Sequence, residues 1–191
     1  MGQDLQYILI AFMSTPRATS SSASSLTPQW KYDVFLSFRG EDTRNNFTDH
    51  LYAALQRKGI FTFRDEEELE RGESISLALL KAIEESRFAI IILSKNYVSS
   101  SWCMEELAKI VRCRKEIGLT ILPIFYYVSP SDVRKQAKTI YSRNFWDTKS
   151  NEVKSWEDTL EACKRNETWE DALREVTNLS GWHLQIGRAH V

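Results

Sequence analysis

The chain is poor in the features that announce most enzymes and metal proteins. Its three cysteines, Cys103, Cys113 and Cys163, are odd in number and form no CxxC pair. That excludes a disulfide framework and a zinc ribbon and points to a reducing compartment, the cytoplasm, with the nucleus also compatible. The three histidines, His50, His183 and His190, are scattered, so no metal cluster and no Ser/His/Asp arrangement is expected. There is no GxGxxG and no GxxxxGK[ST], which removes the dinucleotide fingerprint and the P-loop. The apolar stretch over residues 7–12 is far shorter than the ~20 residues of a membrane helix and has no basic flank. Gly2 is followed by Gln6 where a myristoylation signal has Ser or Thr, so neither a span nor a lipid anchor is expected. A net charge of −1 lacks the clustered basic surplus that phosphate backbones demand, so no nucleic-acid partner is expected.

What is present is ordinary globular material: 42% hydrophobic and 27% charged residues over 191 positions, enough for one domain with a covered core. Residues 14–29 are rich in Ser, Thr and Pro without hydrophobic periodicity, so residues 1–30 read as a flexible leader, with Met13 a possible alternative start. Beyond it, strand-like and helix-like segments alternate, the pattern of a parallel sheet covered by helices. Strands are expected over 32–37, 60–63, 88–93 and 121–126, the third so continuously aliphatic that both its faces must be buried. Helical spacing of Phe47, Leu51, Ala54 and Leu55 predicts a first helix stopped by Gly59. Ser74 is placed to cap a second helix with the stripe Ile75, Ala78, Leu79, Ala82 and Ile83, and Ser101 a third over 102–117 stopped by Gly118. Farther on, Trp156-Glu157-Asp158-Thr159-Leu160 and Trp169-Glu170-Asp171-Ala172-Leu173 form a near-repeat of helical type.

In such sheets ligands sit beyond the carboxyl ends of the strands. The loops there bring Phe38-Arg39-Gly40-Glu41-Asp42, the acidic segment from Asp65 to Glu73, and the segment leading to Trp102. Trp102 and Glu106 lie four residues apart, on one face of the third helix. An aromatic plane beside a carboxylate suits a reaction that develops positive charge on a ribosyl carbon, as glycoside cleavage does. On spacing alone the commoner meaning of such a residue is a solvated acid near a helix N-terminus, where the dipole favours it. A phosphoacceptor domain would need an aspartate after the third strand, and Ser94 stands there.

The blocks 32–44 (YDVFLSFRGEDTR), 63–72 (FRDEEELERG), 101–107 (SWCMEEL) and 124–136 (IFYYVSPSDVRKQ), in that order, resemble the plant TIR (Toll/interleukin-1 receptor homology) family over roughly residues 31–184. The resemblance implies a flavodoxin-like three-layer α/β sandwich, a five-stranded parallel sheet with helices on both faces, its fifth strand near residues 181–184; residues 185–191, without a usable pattern, are read as an unstructured tail. It implies an NAD⁺ nucleosidase of glycohydrolase or cyclase type, with NAD⁺ as substrate and no tightly bound cofactor or metal. By family position Glu106 would be catalytic, and Arg39, Gly40 and Trp102 would line the nucleotide cleft. Asp65, Leu69, Arg71 and Gly72 would belong to a gating and self-association loop, and Asp49 and His50 to a symmetric contact where many relatives carry Ser-His. Partners would be further copies of the chain and other TIR-containing receptors in plant innate immunity, either as a TIR-only protein or as the first module of a receptor. The competing expectation is an interaction module that signals by TIR contacts without turnover. Tyr127 and Ser129 stand where relatives often have an acid.

Overall fold

The computed structural model describes residues 30–64, 77–150 and 156–184. Its strands are Tyr32–Phe38 (β1), Thr62–Arg64 (β2), Ser86–Leu93 (β3), Thr120–Tyr126 (β4) and Trp182–Leu184 (β5). Its main helices are Asp49–Arg57 (α1), Leu77–Glu84 (α2), Ser101–Ile117 (α3), Pro130–Ser150 (α4) and Trp156–Thr177 (α5). All strand pairs are parallel, in the order β2-β1-β3-β4-β5. The expected five-stranded doubly covered α/β sheet is therefore the observed fold.

Alternation along β1 and β3 builds two cores, because successive side chains leave a strand on opposite faces. Phe35, Ala89, Ile91 and Leu93 join Leu79, Ala82 and Ile83 of α2, Met104 and Leu107 of α3, and Leu173 and Val176 of α5 on one side. Val34, Leu36, Phe88, Ile90 and Ile92 meet Leu51 and Leu55 of α1 on the other. Both faces of β3 are thus sealed, as its unbroken aliphatic run requires.

Glycines stop two helices as expected, Gly59 at φ 70° and Gly118 at φ 77°, the left-handed geometry that closes a helix end without a Cβ clash. Several boundaries differ from the expectation. β2 begins at Thr62: the Phe61 amide donates to the Asp33 carboxylate at 2.8 Å and not to a strand carbonyl, and the Phe61 ring stacks on Tyr32. The cap of α3 is Ser100, whose hydroxyl accepts from the Cys103 amide, and Ser101 is already the first helical residue. Ala78 is exposed, while Leu79, Ala82 and Ile83 of the same helix turn inward; Ser74 and Ile75 lie outside the described residues. Both copies of the near-repeat belong to the single helix α5, in which Trp169 is buried. The leader over 1–29 and the tail over 185–191 also lie outside the described residues.

Ser129 and Asp132 make a reciprocal cap at the start of α4. The Asp132 amide donates to Ser129 Oγ at 3.1 Å, and the Ser129 amide donates back to the Asp132 carboxylate at 3.3 Å, the capping-box arrangement with Pro130 at the first helical position. Ser129 therefore has a structural use of its own as the cap of α4.

Candidate functional site

The strand order places the crevice. From β1 the chain leaves toward β2, and from β3 it leaves toward β4 on the other side, so their carboxyl ends diverge between them. Ser37 and Phe38 of β1 lie in register with Ile91 and Ile92 of β3 at that point. Beyond them come the turn at Arg39 and Gly40 and, from β3, the segment Ser94 to Ser100 that launches α3.

Glu106 projects from the second turn of α3 and is 4% exposed, which removes the reading of it as a solvated surface acid. Its Oε2 accepts from the Ser37 hydroxyl at 2.7 Å, and Ser37 Oγ lies 2.8 Å from Tyr97 Oη. Ser37 and Tyr97 are themselves completely buried. Trp102 stands one turn earlier on the same helix, half-buried and packed against the larger core cluster. A carboxylate taken this far from water is stable only with donors to hold it, and β1 supplies one from the strand itself.

The rim is cross-linked by further polar contacts. Asp42 accepts from the Ser94 hydroxyl at 2.5 Å, from the Asn96 amide at 2.9 Å and from the Asn96 side chain at 2.9 Å, tying the β1 exit to the β3 exit. Burial opposes ionisation of Asp42, but those donors, helped by the Arg39 charge, outweigh it and keep the carboxyl below its ordinary 3.8. Ser94, which rules out a phosphoacceptor at the end of β3, thus also claims the acid of the neighbouring loop. The Cys103 thiol donates to the Phe38 carbonyl at 3.6 Å. Burial, then the charge of Glu106, pushes that thiol up to about 12, so Cys103 is an inert packing residue and no nucleophile.

Arg39 pairs with Glu41 at 2.8 Å, and its Nε is buried with no hydrogen-bond partner among the described residues. Gly40 lies under the Arg44 guanidinium, where a Cβ would come within 3.1 Å of Nε and Nη2. Arg44 also covers the Phe38 ring, with its guanidinium carbon 5.2 Å from the centroid. Arg39, Gly40 and Glu106 are therefore gathered around the carboxyl end of β1, with Trp102 one helical turn from Glu106.

Asp49 and His50 lie elsewhere, on the exposed first turn of α1. Asp49 is bound within its own protomer: Arg64 Nη1 donates to its Oδ1 at 2.5 Å, while the Arg64 guanidinium lies 4.5 Å from the centre of the Tyr52 ring. Arg64 ends β2, immediately before residues 65–76. Asp65, Leu69, Arg71 and Gly72 lie in that segment, outside the described residues.

A doubly wound parallel sheet with a buried carboxylate and an aromatic at its switch point defines the class of protein. Residues 31–189 match the family model of the TIR domain, and the chain belongs to that family. It is 51% identical over 176 residues to the disease resistance protein RPV1 of Vitis rotundifolia, covering 92% of this chain and 12% of that protein. It is 49% identical over 160 residues to the TMV resistance protein N of Nicotiana glutinosa, covering 84% of this chain and 13% of that protein. The chain thus spans about an eighth of the length of these relatives. Among solved structures, the TIR domains of the activated Roq1 resistosome, which directly recognises the pathogen effector XopQ, match with a TM-score of 0.65 and 47% identity over 81% of this chain and 88% of that one. No helix among the described residues is long and apolar enough to cross a membrane.

Proposed function

We propose that this TIR domain is an NAD⁺ nucleosidase switched on by self-association, acting in plant defence signalling in the cytoplasm and the nucleus. The observation that carries the reading is the Glu106 carboxylate, held almost out of water on the cleft rim one helical turn from Trp102. In that setting the bond between the ribose anomeric carbon and the nicotinamide nitrogen breaks heterolytically. The electron pair leaves with nicotinamide, which departs neutral and needs no general acid. The ribosyl carbon carries the positive charge, and Glu106 stabilises it at close range in a low-dielectric site. Water then adds and loses a proton, giving ADP-ribose, or a nucleophile of the same molecule adds, giving a cyclised product. Trp102 offers a flat wall beside the reacting ribose. Arg39, partly exposed at the β1 exit, offers its positive charge toward the anionic pyrophosphate.

Self-association is supported by the likeness to TIR domains in an assembled resistosome, and the names of the relatives support a role in disease resistance. The contacts would use Asp49 and His50 of α1 and the loop with Asp65, Leu69, Arg71 and Gly72, between copies of this chain and with other TIR-containing receptors. The test is nicotinamide release from NAD⁺ by assembled wild-type protein beside Glu106→Ala. Release that falls at least about a hundredfold in the variant is expected; equal silence from both, with assembly verified by light scattering, would leave a non-catalytic interaction module.

A further inference from the structure

Resting on the nucleosidase reading, we propose that Ser37, with Tyr97 behind it, is the positioning pair that orients the Glu106 carboxylate for catalysis. Ser37 Oγ has one proton, and the 2.7 Å contact to Glu106 Oε2 takes it. The 2.8 Å approach of Ser37 Oγ to Tyr97 Oη then needs the proton of the phenol. The phenol can also donate to the Cys103 carbonyl at 3.2 Å, but that is the longer of its two contacts, and the Ser37 oxygen at 2.8 Å has no other proton to share with Tyr97. The chain of donors therefore runs from Tyr97 to Ser37 to Glu106. It links a short turn after β3, the penultimate residue of β1 and the second turn of α3, each held by the packed core.

Ser37 is the polar exception in a strand whose other residues from Val34 to Phe38 are buried and apolar. A buried hydroxyl is costly without a partner, so the strand carries Ser37 at a disadvantage that its bond to Glu106 offsets. The geometry restricts the carboxylate to the rotamer that meets β1, and a charge-stabilising group acts only when it is held where the charge appears. Tyr97 restricts Ser37 in turn, because a hydroxyl that accepts from the phenol has its own proton directed at Glu106.

The experiment measures kcat and KM for nicotinamide release in assembled wild-type, Ser37→Ala, Ser37→Thr, Tyr97→Phe and the Ser37→Ala/Tyr97→Phe double variant. We expect kcat to fall about tenfold or more in Ser37→Ala with KM nearly unchanged, and by less in Tyr97→Phe. Ser37→Thr, which keeps the hydroxyl, should regain most of the loss over alanine. The double variant should be no slower than Ser37→Ala alone, since Tyr97 acts through Ser37; a structural role would instead make the two losses multiply. An unchanged kcat in Ser37→Ala, a change confined to KM, or multiplying losses overturns the proposal while leaving the nucleosidase reading intact, provided Glu106→Ala is inactive. Should Ser37→Ala fail to fold, Tyr97→Phe decides the matter, because it keeps the ring: wild-type kcat there overturns the pair, and a reduced kcat with unchanged KM and wild-type thermal stability supports it. Silence of the wild-type assembly itself overturns both readings at once.

Discussion

The crevice between β1 and β3 and the patch on α1 treat polar groups in opposite ways. In the crevice Ser37, Tyr97 and Glu106 are sealed from water and bonded to one another. On α1 the Asp49 side chain is 60% exposed and meets a largely covered Arg64. Inside, an unmade hydrogen bond costs the full desolvation of the group, so geometry is enforced. Outside, water replaces a lost partner cheaply. The first arrangement holds a carboxylate still, and the second leaves its carboxylate open to solvent.

Glu106→Ala breaks the comparison most severely. Its effect on nicotinamide release should be the largest of any substitution at the rim, and that on the affinity of assembly close to nothing, which analytical ultracentrifugation would check. Asp42→Ala comes next: it removes the acceptor of three hydrogen bonds that join the β1 and β3 exits. A loss of about 1–3 kcal/mol of stability follows, visible as a lower denaturant midpoint at an unchanged slope.

The same clamp predicts a pH dependence. The folded-state carboxyls of Asp42 and Asp132 lie below their ordinary 3.8, so their contribution is fully present above that value and disappears as the pH falls through the lower folded one. Thermal melts from pH 6 downward should show an acid-side loss of stability, and Asp42→Asn should flatten it. The smallest effect belongs to Asp49→Ala. Removing the exposed partner of Arg64 should change stability by less than about 1 kcal/mol and vanish in high salt, because the stack of Arg64 on Tyr52 survives. A large loss of fold stability in Asp49→Ala would show that the α1 patch is built like the crevice after all.

Much of the fold was legible because periodicity is local. The run 88–93 announced a doubly buried strand, Gly59 and Gly118 announced helix ends, and Trp102 with Glu106 announced one face of one helix near a strand end. The miss at the α3 cap has a local cause: Ser99, Ser100 and Ser101 are all competent caps, and backbone direction, extended at Ser100, chose among them. Ala78 stands at the edge of the stripe, beside Leu79, and periodicity does not say which edge of an apolar face the neighbouring elements cover. The partners of Glu106 were hidden for another reason. Ser37 is separated from it by 69 residues and from Tyr97 by 60, and the only local signal was one hydroxyl in an apolar strand.

The amino-acid order by itself determined the alternation of strand and helix, the stops at Gly59 and Gly118, the central place of β3 and the membership of the TIR family, since spacing, turn chemistry and motif identity are properties of neighbours along the chain. Only the tertiary structure decided that Glu106 is buried, that Asp42 clamps the rim, that Cys103 is inert and that Asp49 is engaged by Arg64. Each of those depends on which distant groups are packed together and how much water they exclude, and both are set when β1 and β3 pair and the helices close over them.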